Sequence, residues 1–100
     1  MNMPLFMIMG HDVANSSELR QQTREAHLAR LHELEAQGRL VIAGPTPLEV
    51  GQTAMSGSLI IAAFESLEAA QDWASQEPYL TAGVYSHVDI KPFIKVLPSA

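Results

Sequence analysis

The chain of 100 residues contains no cysteine. Disulfide bridges, thiolate nucleophiles and cysteine-based zinc sites are therefore excluded. Positive charge is also scarce. Six Lys and Arg stand against eleven Asp and Glu, for a formal net charge of −5, and the six are scattered along the chain. No basic stripe exists, which speaks against nucleic-acid binding and against attachment to an anionic membrane surface. No apolar run approaches the ~20 residues that span a bilayer. The N-terminal "MNMPLFMIMGHD" has neither a basic n-region nor a small-residue cleavage site, so the expectation is a soluble, cytoplasmic protein. There is no G-x-S-x-G of a serine hydrolase. His11, His32 and His87 show no metal-ligand spacing with His27, and "HE" at 32–33 lacks the second histidine of a zincin. Neither a metal nor a cofactor is expected.

What is present fits one domain over residues 1–100, with 47% hydrophobic residues to fill a core. "LFMIM" (5–9) is too short and too apolar for an independent helix and is expected to be a strand buried on both faces. Ser16 or Ser17 is an N-cap candidate for a helix over 18–37, which lacks Pro and Gly and stops at Gly38. "RLVIAG" (39–44) predicts a second strand, 45–57 a loop rich in Pro and Gly, and "SLIIAAF" (58–64) a third strand. Ser66 caps a second helix of about residues 67–76 that must end before Pro78. "VYSHVDIKPF" (84–93) predicts the last strand.

The order βαββαβ is that of a ferredoxin-like α+β plait: a four-stranded antiparallel sheet with both helices on one face. Two helices cover one face only, while strands one and three read as apolar on both. The open face is therefore expected to be covered by a second copy, giving a homodimer.

Two histidines on the first helix separate by angle. At about 100° per residue, His27 lies about 40° from Leu31, the centre of the buried stripe, and His32 about 100° away, among solvent-facing glutamates. Arg24 lies about 20° from Leu31, and Arg20 is on the same face. Polar groups on a buried face need partners or a cavity, and these three are the first sign of a pocket. The plait topology brings Asp12, Arg24 with His27, "QEPY" (76–79), and Tyr85 with His87 to one edge of the sheet. A carboxylate bonded to His27 would fix its tautomer, as an acid–base dyad requires. Each residue also has a plainer reading. His27 is alternatively a satisfied interior histidine, Glu77 a helix-end carboxylate and Asp12 part of an Asx-turn. Arg24 either holds a substrate carboxylate or bridges to Asp12 or Glu77. Ser56 and Ser58 in "SGS" either donate to a ligand or serve turn chemistry. Tyr79 and Tyr85 line a pocket or pack the core, and Trp73 is most simply a core residue.

The stretches "HDVANSSELR", "REAHL", "GRLVIAGP", "SGSLIIAAFESLEAAQDWA", "PYLTAGVY" and "VDIKPF" follow one another along nearly the whole chain. Together they resemble the YciI-like family, small proteins of the dimeric α/β-barrel class. The resemblance implies a homodimer with a cleft between helices and sheet, and a histidine–acid dyad. The histidine falls on His27, and the acid of the family's "D-P-Y" element falls on Glu77, because this chain reads "EPY". Asp12 is a further acid at a family position. Glu25 replaces the proline of "R-P-x-H", Glu77 carries one methylene more than aspartate, and the loop at 47–56 is shorter than usual. Relatives include enzymes that act on muconolactone-type ring-cleavage products by proton abstraction and halide loss.

The expectation is thus a small cofactor-independent enzyme. His27 would transfer a proton on a small carboxylate- or lactone-type substrate, oriented by Glu77 or Asp12, with Arg24, Ser56, Ser58 and Tyr79 binding it. The alternative is a non-catalytic dimeric module that binds a small ligand or a partner protein.

Overall fold

The computed structural model describes residues 3–99. Seven elements follow in order: β1 (Leu5–Asp12), α1 (Ser17–Ala36), β2 (Leu40–Pro47), β3 (Met55–Ala63), α2 (Leu67–Ser75), α3 (Pro78–Thr81) and β4 (Tyr85–Phe93). The strands form one antiparallel sheet in the order β2-β3-β1-β4. This is the ferredoxin-like α+β plait, with a third, one-turn helix added. Among the described residues no helix is long and apolar enough to cross a membrane.

The core forms where one face of the sheet meets the two long helices. Phe6 and Ile8 of β1 and Ile60 and Ala62 of β3 pack with Leu31 and Leu34 of α1 and with Ala70 and Ala74 of α2. Phe64 closes this cluster, and Trp73 lies partly buried against it. β1 is not buried on both faces as its continuous apolar run suggested. Phe6, Ile8 and Gly10 are buried, whereas Leu5, Met7 and Met9 are only half-buried. Side chains alternate across a strand, so the helices can shield only every second residue. The other face of the sheet remains open within one chain.

Several boundaries differ from those read in the sequence. β2 continues through Pro45 to Pro47, and β3 begins at Met55, which shrinks the expected loop to 48–54. β2 is an edge strand, where a missing N–H need not break a ladder bond, so its prolines are tolerated. α1 starts after Ser16 and ends at Ala36, with Gly38 at φ +69° beyond it. Ser16 does not cap the helix; its hydroxyl donates to Asp12 Oδ2 at 2.5 Å instead. Ser66 does cap α2, its Oγ accepting the Ala69 N–H at 3.1 Å. α2 stops before Pro78, with Glu77 extended at φ −66°, ψ 126°. Pro78 also begins something: it occupies the first turn of α3, where its fixed φ suits a helix start.

Two glycines permit close approaches at the site end of the sheet. A Cβ at Gly10 would run into the Tyr85 ring, and one at Gly57 would run into the Gly10 carbonyl. The β1–β3 pairing and the seating of Tyr85 both depend on these two missing side chains.

Candidate active site

Four segments converge above the sheet face that carries the helices: the end of β1, the first half of α1, the start of β3 and the α2–α3 junction with β4. Their placement follows from local chemistry. Glu77 is the N-cap of α3, its Oε2 accepting the Tyr79 N–H at 2.7 Å. This bond, with Pro78, aims the Glu77 side chain inward, where it is 2% exposed. Its Oε1 pairs with Nδ1 of His27. Both carboxylate oxygens act as acceptors, so Nδ1 is the donor in this pair. His27, buried on α1, is stacked on Tyr79 with ring centroids 4.0 Å apart and planes 13° apart. Tyr79 meets Tyr85 edge to face at 5.6 Å and 83°. The imidazole is thus fixed in rotation by Glu77 and in tilt by Tyr79.

Asp12 belongs to a different group. Its carboxylate accepts from Arg20 Nε at 2.6 Å and Nη2 at 2.9 Å, and from Ser16. It does not pair with His27; the guanidinium at 20 lies on the same helical face and takes it as a fork-to-fork partner. Arg20 Nη2 also donates to Ser58 Oγ and to the Gly57 carbonyl, both at 2.8 Å. Its guanidinium carbon lies 4.8 Å from the centre of the Tyr79 ring.

Arg24 bridges neither Asp12 nor Glu77. It is exposed and makes no hydrogen bond or ion pair among the described residues. It lines a cavity of about 240 Å³ together with Arg20, His27, Ser58 and Tyr79. Gly44, Pro45 and Leu31 form part of its wall. A second depression of about 210 Å³ shares Arg20, Arg24, Pro45 and Tyr79 and extends toward Thr53 and Met55. The larger hollow, about 460 Å³ at the far end around Arg39, contains no histidine or acid. Ser56 is not in the site. It is exposed, donates to the Thr46 carbonyl at 3.0 Å and sits 2.9 Å from the Thr46 hydroxyl. Pairing with Thr46 across the β2–β3 hairpin uses the hydroxyl that was expected to meet a ligand. His32 is exposed, 3.3 Å from Glu35, as its angle on the helix required.

Sequence reasoning placed Arg20 on the right face but gave it no role. The signal was available, since residues 20 and 27 are two turns apart and share one face. It also missed a group on the opposite sheet face, where His11, His87 and Asp89 come together. Cross-strand register creates that group, and spacing along the chain does not reveal it.

The chain's two tyrosines, Tyr79 and Tyr85, are both buried, and burial pushes both phenols above the ordinary value near 10. The Tyr85 hydroxyl has no hydrogen-bond partner among the described residues. A raised folded-state value stabilises the fold fully below about pH 10, and this contribution is lost as pH climbs through the folded values. Native protein should therefore show little tyrosinate absorbance near pH 10, where denatured protein is half ionised. A native midpoint at the ordinary value would refute the buried placement of both rings.

The fold and site thus define an α+β plait in which a buried imidazole, held by a carboxylate and an aromatic ring, lines a cavity with two arginines. Residues 4–94 match the YCII-related domain, and the chain belongs to that family. Protein YciI of Escherichia coli is 52% identical over 96 residues, covering 92% of this chain and 98% of that protein. An uncharacterized protein of Haemophilus influenzae is 47% identical over 95 residues, covering 91% and 97%. Among solved structures, the 5-chloro-2-hydroxyhydroquinone dehydrochlorinase of Burkholderia phenoliruptrix, in complex with 2,5-dihydroxybenzoquinone, superposes with a TM-score of 0.81. It is 28% identical, over 90% of this chain and 93% of that one. A Pseudomonas aeruginosa protein at TM-score 0.53 and 14% identity, covering 96% of this chain and 97% of its own, shares the fold.

Proposed function

We propose that this protein is a small acid–base enzyme in which His27, oriented by Glu77, moves a proton on a small, oxygen-rich anionic substrate. The observation that carries this reading is the His27–Glu77 pair itself. Glu77 occupies Nδ1, while the ring lines a cavity that reaches solvent, which leaves Nε2 as the nitrogen available to a ligand. Leucine would pack this position better, and a buried polar pair at a cavity wall is the arrangement that acid–base chemistry needs.

In the proposed cycle, Nε2 takes a proton from a carbon next to a carbonyl or from a ring hydroxyl. The electron pair left behind delocalises onto the carbonyl oxygen, and the imidazolium is balanced by the Glu77 carboxylate. Arg24, which has no partner among the described residues, binds the substrate carboxylate or enolate oxygen. Arg20, held by Asp12 and Ser58, is a second fixed positive charge at the wall. The enolate then either collects a proton at another carbon, giving an isomer, or expels a leaving group with its bonding pair, giving an elimination product. In the second case the proton on His27 passes to solvent. The dehydrochlorinase name of the 28%-identical structural relative supports elimination, and its bound dihydroxybenzoquinone supports a flat ring bearing several oxygens as substrate class.

A panel of chlorinated hydroxyhydroquinones, muconolactones and related lactones, assayed with wild type and with His27→Ala, tests the reading. Turnover of at least one compound by the wild type and its loss in the variant is the expected result. Equal turnover by both proteins removes His27 from the mechanism. Ligand binding without turnover across the panel favours the non-catalytic binding module.

The open sheet face supports a homodimer as part of the same proposal. Ile42 is 58% exposed, and Leu97 of the C-terminal tail, 75% exposed, lines the same depression with Ile42, Ile61 and Phe93. Apolar area of this kind on one face is the usual mark of an association surface. Light scattering should give twice the 10.9 kDa chain mass at micromolar concentration. A monomer at that concentration would leave this face without its proposed cover.

A further inference from the structure

On the sheet face away from the candidate site, we propose that His11, His87 and Asp89 form a binding site for one divalent transition-metal ion of the zinc class. His11 of β1 stands directly opposite His87 of β4 in the ladder, and Asp89 lies two residues along β4, so the three side chains emerge on one face. Val88 and Ile90, the alternate residues of β4, pack into the core, which puts the group on the open face. One ligand atom from each residue lies within 4.8 Å of the others.

The hydrogen bonds around the group prepare it for a cation. The Ser86 hydroxyl has one proton, which it donates to the His11 carbonyl at 3.2 Å. It then accepts from His87 Nδ1, 2.8 Å away. In this tautomer Nδ1 carries the ring proton, and Nε2 of His87 presents a bare lone pair. A metal-binding histidine is commonly fixed this way, with its other nitrogen donating to a second residue. Asp89 Oδ2 lies 2.7 Å from His11 Nε2, so a carboxylate and a second imidazole already face one another.

Metal entry displaces the proton between His11 Nε2 and Asp89, which passes to Nδ1 of His11 or to solvent. That contact opens from 2.7 Å to about 3.3 Å, the ligand separation of a tetrahedral site with bonds of about 2.0–2.1 Å. The two imidazoles, now stacked at 4.5 Å and 14°, turn apart so that both nitrogens point at the ion. Within one chain His11 and Asp89 are 36% and 56% exposed, so side-chain torsions suffice and neither β1 nor β4 has to move. Two imidazoles and one carboxylate select Zn²⁺, Co²⁺ or Ni²⁺ over Mg²⁺ and Ca²⁺, which prefer all-oxygen shells. Three protein ligands leave a fourth position for water. The ion would tie edge strand β4 to β1 behind the candidate active site, on the face opposite His27.

The test uses tag-free protein titrated with Zn²⁺ by calorimetry and with Co²⁺ by visible absorption. One Zn²⁺ per chain is expected, with a raised melting temperature and no comparable response to Mg²⁺. His11→Ala and His87→Ala should each weaken Zn²⁺ binding by at least about tenfold, and His32→Ala, at an exposed histidine elsewhere, should leave it unchanged. His11 and His87 lie on the face that the proposed homodimer covers, so circular dichroism verifies that each variant is folded and light scattering that it keeps the wild-type assembly. Absence of Zn²⁺ binding by the wild type at millimolar metal overturns the proposal. So does a loss smaller than tenfold in either His11→Ala or His87→Ala.

Discussion

Replacing Glu77 by alanine is expected to lower the free energy of unfolding by about 3–5 kcal/mol, because two buried donors lose their acceptor at about 1–3 kcal/mol each and a helix loses its cap. In a chain of 100 residues this is a fall in melting temperature of at least about 12 °C. The size follows from how completely Glu77 is used. Its side chain is 2% exposed, one oxygen holds His27 Nδ1 and the other the Tyr79 N–H. Alanine strands both donors in the interior and removes the N-cap of α3. Burial of the pair is not in itself a large net gain, because desolvation offsets most of the attraction. The double variant His27→Leu, Glu77→Ala should therefore recover part of the loss, since no unpaired imidazole remains. Denaturant unfolding of both variants checks this. A single variant within about 1 kcal/mol of wild type would show that the pair is not sealed as described.

The second large effect is on rate. His27→Ala should reduce kcat on the best substrate of the panel by about 10²–10⁴, the usual contribution of a positioned general acid or base. Glu77→Gln keeps an acceptor for the Tyr79 N–H or the imidazole but removes the charge that balances an imidazolium. It is expected to lower kcat while leaving KM nearly unchanged, because the carboxylate acts on the transition state and does not face the cavity. Arg24→Ala should do the opposite and raise KM, since in the proposed cycle its guanidinium binds the substrate and it has no partner among the described residues. Single-turnover measurements on protein verified as folded separate these outcomes. Equal losses in kcat and KM across all three variants would point to a general collapse of the cavity.

The candidate site was legible in the sequence where it lies on a helix. His27, Leu31 and Leu34 are the buried residues of α1, and angular spacing alone separates His27 from His32. Arg20 and Arg24 share that face, but their division of labour does not follow from spacing. Arg20 reaches back to Asp12, eight residues earlier, and forward to Ser58 on β3, and only the folded sheet brings these together. Asp12 and Glu77 were interchangeable as partners for His27 on the page of the sequence. The α2–α3 junction decides between them: Pro78 starts a one-turn helix, its cap residue points inward, and Asp12 is already taken by arginine. Ser56 and Ser58 are two residues apart in one strand, yet one meets Thr46 and the other the cavity.

Local chemistry in the sequence by itself determined the two long helices, the order of strands along the chain and the face on which His27 lies. Periodicity, caps and prolines act over a few residues and need no distant partner. Tertiary structure alone decided which carboxylate meets His27, which arginine pairs with Asp12, and that β1 is covered on one face only. It also decided that His11, His87 and Asp89 meet across two strands. Each of these depends on register between segments up to 78 residues apart, and register is set by packing the whole sheet against its helices.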